Sequence, residues 1–201
     1  MSASFALFDT PIGTCSLVWQ DRTPDPTIVG LRLPEQSAAD TRARIKRRWP
    51  GAEECAPTPE VQAVIDRVLT LLSGQPVDLS DVPLDFGDAP EFHQRIYAVA
   101  RTIPPGHTMT YGEIAKRLGV PHESREVGQA MGKNPIAIIM PCHRVLGADG
   151  KMGGFSATGG VAIKRRILEI EGAAAVGAGP RGKCAHNRPK MVAAALLESC
   201  W

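Results

Sequence analysis

Residues 136–140 read IAIIM, five apolar residues in a row, and the run ends in Pro141, Cys142, His143 and Arg144. An apolar run without alternation predicts a strand covered on both faces. Pro141 has no N–H to give a sheet ladder, so the strand is predicted to stop there. Cys142 is then left at the rim of a core. A cysteine with only a packing role needs neither the proline before it nor the His-Arg pair after it.

The chain has 201 residues, 43% hydrophobic and 22% charged, enough for the core of one globular unit or two small ones. No apolar stretch approaches the roughly 20 residues that cross a bilayer. The opening MSASFALFDT lacks the basic start and long apolar segment of a secretory signal. Five widely spaced cysteines make no disulfide framework, and a reduced, cytoplasmic protein is expected. Charge is uneven: residues 1–90 carry net −5, residues 91–172 net +4 and residues 173–201 net +3. That asymmetry directs an anionic partner to the second half.

FALFDTPIGTCSLVWQ predicts two short strands around a Pro/Gly turn, and TIVGLRLP a third. SAADTRARIKRRW and PEVQAVIDRVLTLLSG predict helices, the second starting at Pro59 and closing at Gly74. Residues 1 to about 85 therefore form a small mixed α/β domain in this reading. The basic run Arg42, Arg44, Lys46, Arg47 and Arg48 is taken as a solvated helix face rather than a nucleic-acid patch. SDVPLDFGDAP reads as a linker. Beyond it PEFHQRIYAVARTI, TYGEIAKRLG and ESREVGQAMG predict helices, and the last two, joined by GVPH, have a helix-turn-helix outline.

Ile114, Ala115 and Leu118 share one face of the first of those two helices, and Val127, Ala130 and Met131 one face of the second. Opposite them Arg125, Gly128, Gln129 and Gly132 fall at i, i+3, i+4 and i+7. Each interior glycine costs a helix about 1 kcal/mol against alanine. Such a bare stripe serves either close approach to something flat or tight packing on another helix, and spacing alone leaves both open. From about residue 173 the pattern dissolves into Ala, Gly, Pro and basic residues, where a flexible tail is expected, with MVAAALLESCW as a candidate last helix. Cys184-x-His186 is too slight a pattern for a metal site, and none is expected.

A thiol has a pKa near ~8.5, and burial raises it, so Cys142 needs a base to attack. His143 is adjacent, but neighbouring side chains on an extended chain point apart, which leaves room for a bridging water. VAIKRRILEIEG predicts a helix closed by Gly172, with Ile163, Ile167 and Ile170 inward and Lys164 and Arg165 outward. Glu171 lies four residues past Ile167 and also points inward, where a carboxylate needs a partner. Cys142, His143 and Glu171 thus form a candidate nucleophile, base and orienter. The alternatives are a core cysteine, a Glu171–Arg144 ion pair, and a thiol peptidase using the same three groups.

PCHRV preceded by NP, following TYGEIAKRLG and REVGQAMG, resembles the O6-alkylguanine-DNA alkyltransferases, or methylated-DNA–protein-cysteine methyltransferases. The resemblance spans about Phe92–Gly172 through IPPG, TYGEIA, REVGQAMGKNP, PCHRVLGADGK and GGVAIKRRILEIEG. It is weaker over the N-terminal TPIGT segment. It implies an α+β protein: a small ribonuclease H-like α/β domain (1–85), then a mostly helical DNA-binding domain with the helix-turn-helix (86–172), then the tail (173–201).

The resemblance further implies that Cys142 accepts the alkyl group from O6 of guanine, irreversibly and once. His143, through water, and Glu171 would raise its thiolate fraction. Asn134 would hold the site's internal hydrogen bonds, and Tyr111 would press on a phosphate and give a proton as guanine leaves. Arg125 would fill the duplex where the base is flipped out. Gly128, Gln129 and Gly132 would face the minor groove. Met131, Val145, Phe155 and either Ser156 or Thr158 would form the pocket.

Two departures stand out: GGFSATGG puts Phe155 where the family often has an aromatic hydroxyl, and REVG puts Glu126 beside Arg125. The expected partner is double-stranded DNA carrying O6-alkylguanine, with no cofactor, no metal and no membrane, and the protein a monomer. A lesion sensor without transfer, a helix-turn-helix regulator and a cysteine hydrolase are the rival functions.

Overall fold

The computed structural model describes residues 3–22 and 25–173; the expected tail, its candidate helix and Cys184-x-His186 lie outside the described residues. Strands β1 (Ser4–Thr10), β2 (Gly13–Gln20) and β3 (Thr27–Arg32) form an antiparallel meander, as the turn signals predict. The short β4 (Glu53–Glu54) joins β1 in parallel, giving the order β3-β2-β1-β4. Helix α1 (Ala38–Arg48) is capped by the Ser37 side chain, and α2 (Pro59–Leu72) by Thr58 with Pro59 at its first turn.

Burial of β2 and β3 on both faces explains their weak alternation. On one face Phe5, Val18 and Val29 pack with Ile45 of α1 and Trp49. On the other, Leu17, Trp19 and Leu31 join one large core that takes in α2 and the second half of the chain.

The proline-rich stretch after α2 is more than a connector. Asp85 donates its N–H to the Ile28 carbonyl (2.9 Å) and Ile28 donates to the Pro83 carbonyl (2.9 Å), so the stretch borders β3. Leu79 and Val82 are buried, and the Arg101 guanidinium donates to the carbonyls of Leu79 (3.3 Å), Ser80 (2.6 Å) and Val82 (2.9 Å).

Helices α3 (Glu91–Arg101), α4 (Tyr111–Arg117) and α5 (Ser124–Lys133) follow as the apolar spacing predicts. A capping box starts α4: Thr110 accepts from the Glu113 N–H (3.1 Å), and the Glu113 carboxylate accepts from the Thr110 N–H (2.6 Å). The two-residue β5 (Met109–Thr110) pairs in parallel with β6 (Val145–Leu146), locking the start of α4 to the segment just after Cys142. Helix α6 (Gly160–Ile170) closes the fold, with Gly172 in the left-handed region (φ +70) past its end.

Residues 136–140 are not a strand. Only Ile136 bridges β3, at Leu31, and the chain then winds into a turn with Ile138 at φ +68. Asn134 replaces the ladder: its side-chain carbonyl accepts from the Ile136 N–H (2.9 Å), and its amide donates to the carbonyls of Ile136 (3.3 Å) and Met140 (3.1 Å). The run is apolar because the turn buries Ile136, Ile138, Ile139 and Met140. In sequence that is indistinguishable from a two-faced strand.

The meander and α1 are tied together where Gly30 faces the Trp49 ring. A Cβ there would lie 2.5 Å from the ring edge. Gly30→Ala is expected to cost about 1–3 kcal/mol in urea unfolding, and Trp49→Leu in the same chain to recover most of it. An alanine variant as stable as wild type would contradict this packing.

Candidate active site

Cys142 opens a single 3₁₀ turn, Cys142–Arg144, that leads directly into β6. The turn carries all three polar groups of the PCHR motif into the core: Cys142 is 7% exposed, His143 1% and Arg144 6%. Buried charge requires partners, and Glu171 at the end of α6 supplies them. Its carboxylate, fully buried, accepts from His143 Nε2 (3.0 Å) and from Arg144 Nε (2.9 Å) and Nη2 (2.7 Å).

The orienter and the ion pair that the sequence offered as alternatives are therefore one arrangement. Arg144 Nη1 also donates to the Ile103 carbonyl (2.6 Å). Gly106 of IPPG, at φ +77, leaves only 3.0 Å between a would-be Cβ and the Glu171 carbonyl, so a side chain is excluded there.

The electrostatics follow from this burial. Burial pushes Glu171 up, but the hydrogen bonds and charges of His143 and Arg144 outweigh it and bring the carboxyl down to about 2. Burial pushes the His143 imidazole down, against the pull of Glu171. Burial likewise pushes the Cys142 thiol up, opposed by the Asn134 hydrogen bond, the Lys164 ammonium and the backbone N–H groups of Cys142 and His143. The resting pair is thus a neutral thiol beside a neutral imidazole, whose second partner is a fixed carboxylate; contrary to the expectation from the resemblance, burial outweighs what favours the thiolate at rest.

Asn134 reaches Cys142 as expected, its amide 3.4 Å from Sγ. Lys164 does not face out. It is 1% exposed and donates from Nζ to the Val145 carbonyl (2.6 Å), 5.7 Å from the centroid of the Phe155 ring. The inward stripe of α6 is Lys164, Ile167, Leu168 and Glu171, an i, i+3, i+4, i+7 series. Of the Ile163–Ile167–Ile170 stripe read from the sequence only Ile167 lies on that face, Ile163 and Ile170 being half-buried beside it. The aliphatic stem of a lysine covers core surface, so the missed signal was this series itself.

Cys142 lines a cavity of about 160 Å³ with Met131, Asn134, Phe155 and Ser156. That is small beside the roughly 300–1,000 Å³ of drug-sized ligand pockets, and suits one planar group. Its other wall is Leu31, Arg32, Leu33, Glu35 and Arg44 from the first half of the chain, residues too distant in sequence to be linked to Cys142 by spacing.

Of the residues expected in the pocket, Val145 and Thr158 do not line it. Val145 is wholly buried and contributes its carbonyl to Lys164 rather than a wall to the cavity. Thr158 donates to Glu35 of the cavity wall without itself lining the cavity, whereas Ser156 lines it and donates to the Gly132 carbonyl (3.1 Å). Tyr111 does not line the cavity; it is half-buried over Gly153, where a Cβ would meet its hydroxyl at 2.9 Å. Burial pushes the Tyr111 phenol up, and charge on Cys142 adds to the push.

On α5, Arg125, Gln129 and Gly132 are exposed and Gly128 is half-buried. A Cβ built on Gly128 or Gly132 meets nothing within 4 Å. Tight helix packing therefore does not account for these glycines among the described residues. Glu126 is drawn off the Arg125 side by His93, whose Nε2 lies 3.0 Å from its carboxylate. Among the described residues no cluster of three metal-ligating side chains occurs, and no helix is long and apolar enough to cross a membrane.

Residues 91–173 match the family model described as 6-O-methylguanine DNA methyltransferase, DNA binding domain. The chain is 37% identical over 170 residues to the methylated-DNA–protein-cysteine methyltransferase of Mycobacterium bovis, covering 83% of this chain and 91% of that one. The protein of that name from Methanosarcina acetivorans is 34% identical over 168 residues, with 84% and 97% covered. The crystal structure of Mycobacterium tuberculosis OGT in complex with DNA superposes with a TM-score of 0.66 at 34% identity, covering 84% of this chain and 92% of that one. A mixed α+β fold with a cysteine enclosed behind a helix-turn-helix defines the class. The chain belongs to the methylated-DNA–protein-cysteine methyltransferase family.

The Glu171 carboxyl lies near 4.5 when unfolded and at about 2 in the fold. The stability its charge contributes is complete above about pH 4.5 and lost as pH falls toward 2. Glu171→Gln is expected to cost about 3–5 kcal/mol at pH 7 by stranding Arg144. In denaturant titrations its gap to wild type should close between pH 4.5 and 2. A gap constant with pH would contradict the assignment.

Proposed function

We propose that this protein repairs DNA by direct reversal, moving a methyl or small alkyl group from O6 of guanine in duplex DNA to Cys142. One observation carries the reading: a cysteine in a base-sized cavity, with its histidine tied to a buried carboxylate. The sulfur gives its proton to His143, by way of a water, and attacks the alkyl carbon. The S–C bond forms as the C–O6 bond breaks. The departing guanine takes a proton from Tyr111, which stands over Gly153 outside the cavity and meets the base once it is seated, and Tyr111 is reprotonated from the His143 imidazolium, so the net change is one proton from sulfur to base. The thioether is stable, so each molecule acts once. The attacking sulfur needs no metal or organic cofactor.

The low-lying Glu171 carboxylate stabilises the imidazolium as it forms, and Arg144 keeps that carboxylate in place. Asn134 and Lys164 favour the developing thiolate. Met131, Phe155 and Ser156 hold the extruded base. Arg125 enters the space it leaves, while Gly128, Gln129 and Gly132 lie on the minor groove. Residues 1–85 act as a ribonuclease H-like α/β unit that walls the cavity, and residues 86–172 as the helical DNA-binding unit. The protein works as a cytoplasmic monomer.

After incubation with an oligonucleotide containing O6-methylguanine, one methyl per molecule is expected on Cys142 by peptide mass mapping, and none in Cys142→Ala. Transfer by the alanine variant, or unmodified wild type bound tightly to the lesion, would overturn the assignment. Arg125→Ala is expected to slow duplex repair roughly tenfold or more, since flipping costs a few kcal/mol. Its reaction with free O6-benzylguanine should stay near wild type. Equal losses on both substrates would contradict the insertion role.

A further inference from the structure

The basic run of α1, read from the sequence as a solvated face, does not spread evenly into solvent. Arg44, Arg47 and Arg48 converge with Arg32 of β3 and Lys133 of α5 on a groove of about 300 Å³, floored by Pro135. Five cations thus line one depression. Arg42 is excluded from it by a bidentate pair with Glu54 (2.6 and 2.8 Å). Arg44 keeps one carboxylate contact, Glu35 at 3.3 Å. Among the described residues, Arg47, Arg48 and Lys133 have no carboxylate within 4.0 Å. Arg48 lies instead 5.5 Å from the centroid of the Trp49 ring. Burial, then the charges of Arg44, Arg47 and Arg48, push the Arg32 guanidinium down, with Glu35 alone opposing.

Like charges gathered around a depression favour an external anion. The groove is also continuous with the site. Arg32, Arg44 and Lys133 line the Cys142 cavity too, and Lys133 directly follows Gly132, the last residue of the bare stripe on α5. Arg48, Lys133 and Pro135 carry the trough on to a third depression beside Pro90 and His93 at the start of α3.

We infer that this groove is a second phosphate-binding surface, through which the first half of the chain holds the DNA backbone flanking the lesion. The inference rests on the reading that α5 meets duplex DNA. It adds anchoring from a half whose net charge is negative, which makes the local cluster, not the overall charge, the attracting feature. The phosphates contribute affinity and register and carry no sequence information. The extra anchor also lies on the rim from which an extruded nucleotide enters the cavity.

The test is the salt dependence of binding to a lesion-containing duplex. Each phosphate that is no longer neutralised flattens the slope of log K against log salt by about 0.9. Arg47→Ala with Arg48→Ala is expected to flatten it by roughly 2. Arg165→Ala with Arg166→Ala, the same charge change on the exposed face of α6, should leave the slope as in wild type. Lengthening the duplex beyond the lesion should tighten wild type more than the α1 variant, and inorganic phosphate at fixed ionic strength should barely compete.

If the α1 double variant melts early, Lys133→Gln is read in the same way, with a flattening of about 0.9. Equal slopes for all variants, equal flattening by both doubles, or displacement of the duplex by inorganic phosphate would each overturn the inference. A wild type that binds the duplex but transfers no methyl would instead sink the repair reading and leave the groove to be judged by its slope.

Discussion

The Glu171 carboxylate organises this protein. It is fully buried, and it is the common acceptor for His143 and Arg144. Through Arg144 it reaches the Ile103 carbonyl and the IPPG turn; through its own backbone it fixes where α6 ends. One carboxylate thereby joins the end of α6, the loop before β5 and the turn that carries Cys142. Hydrogen bonds from His143 and Arg144 and the charge of Arg144 keep it ionised where burial alone would protonate it. Removing Glu171 or Arg144 leaves the other's buried charge without its ionic partner, so that pair stands or falls together.

Around that unit the site is built to keep sulfur unreactive until a substrate arrives. Burial holds the thiol protonated, while Asn134 and Lys164 stand ready to favour the thiolate. A low-dielectric enclosure makes each of these dipoles and charges count for more than it would in water. The cost is a weakly nucleophilic resting state. The gain is that solvent oxidants and stray electrophiles meet a neutral, covered sulfur. The same economy applies to α5, where the glycine stripe faces open space and the arginine beside it is free of Glu126.

Much of this was legible in the sequence, for reasons that differ from element to element. Helices α2 to α5 follow from apolar spacing and end signals such as Pro59 and Gly74, because each buries one face only. Cys142, His143 and Glu171 were readable because each is a polar residue at a position whose neighbours demand burial. The turn at 136–140 was misread because an enclosed turn and a two-faced strand share one composition; the decisive group, Asn134, stands outside the run. Lys164 was misplaced because a lysine inside a core violates the usual rule, and its Val145 partner lies on another element. The cavity wall from Leu31 to Arg44 and the groove at Lys133 depend on contacts between distant parts of the chain, which no local period encodes.

At the centre stands a cysteine that rests as a covered, neutral thiol and is deprotonated only as the reaction proceeds. Thiolate absorbance, titrated as the difference between wild type and Cys142→Ser in the absence of DNA, measures that state directly. A midpoint above the ordinary cysteine value of ~8.5 is expected. A midpoint below neutrality would mean that the resting sulfur is already an anion, and would contradict the arrangement of burial, imidazole and carboxylate derived above.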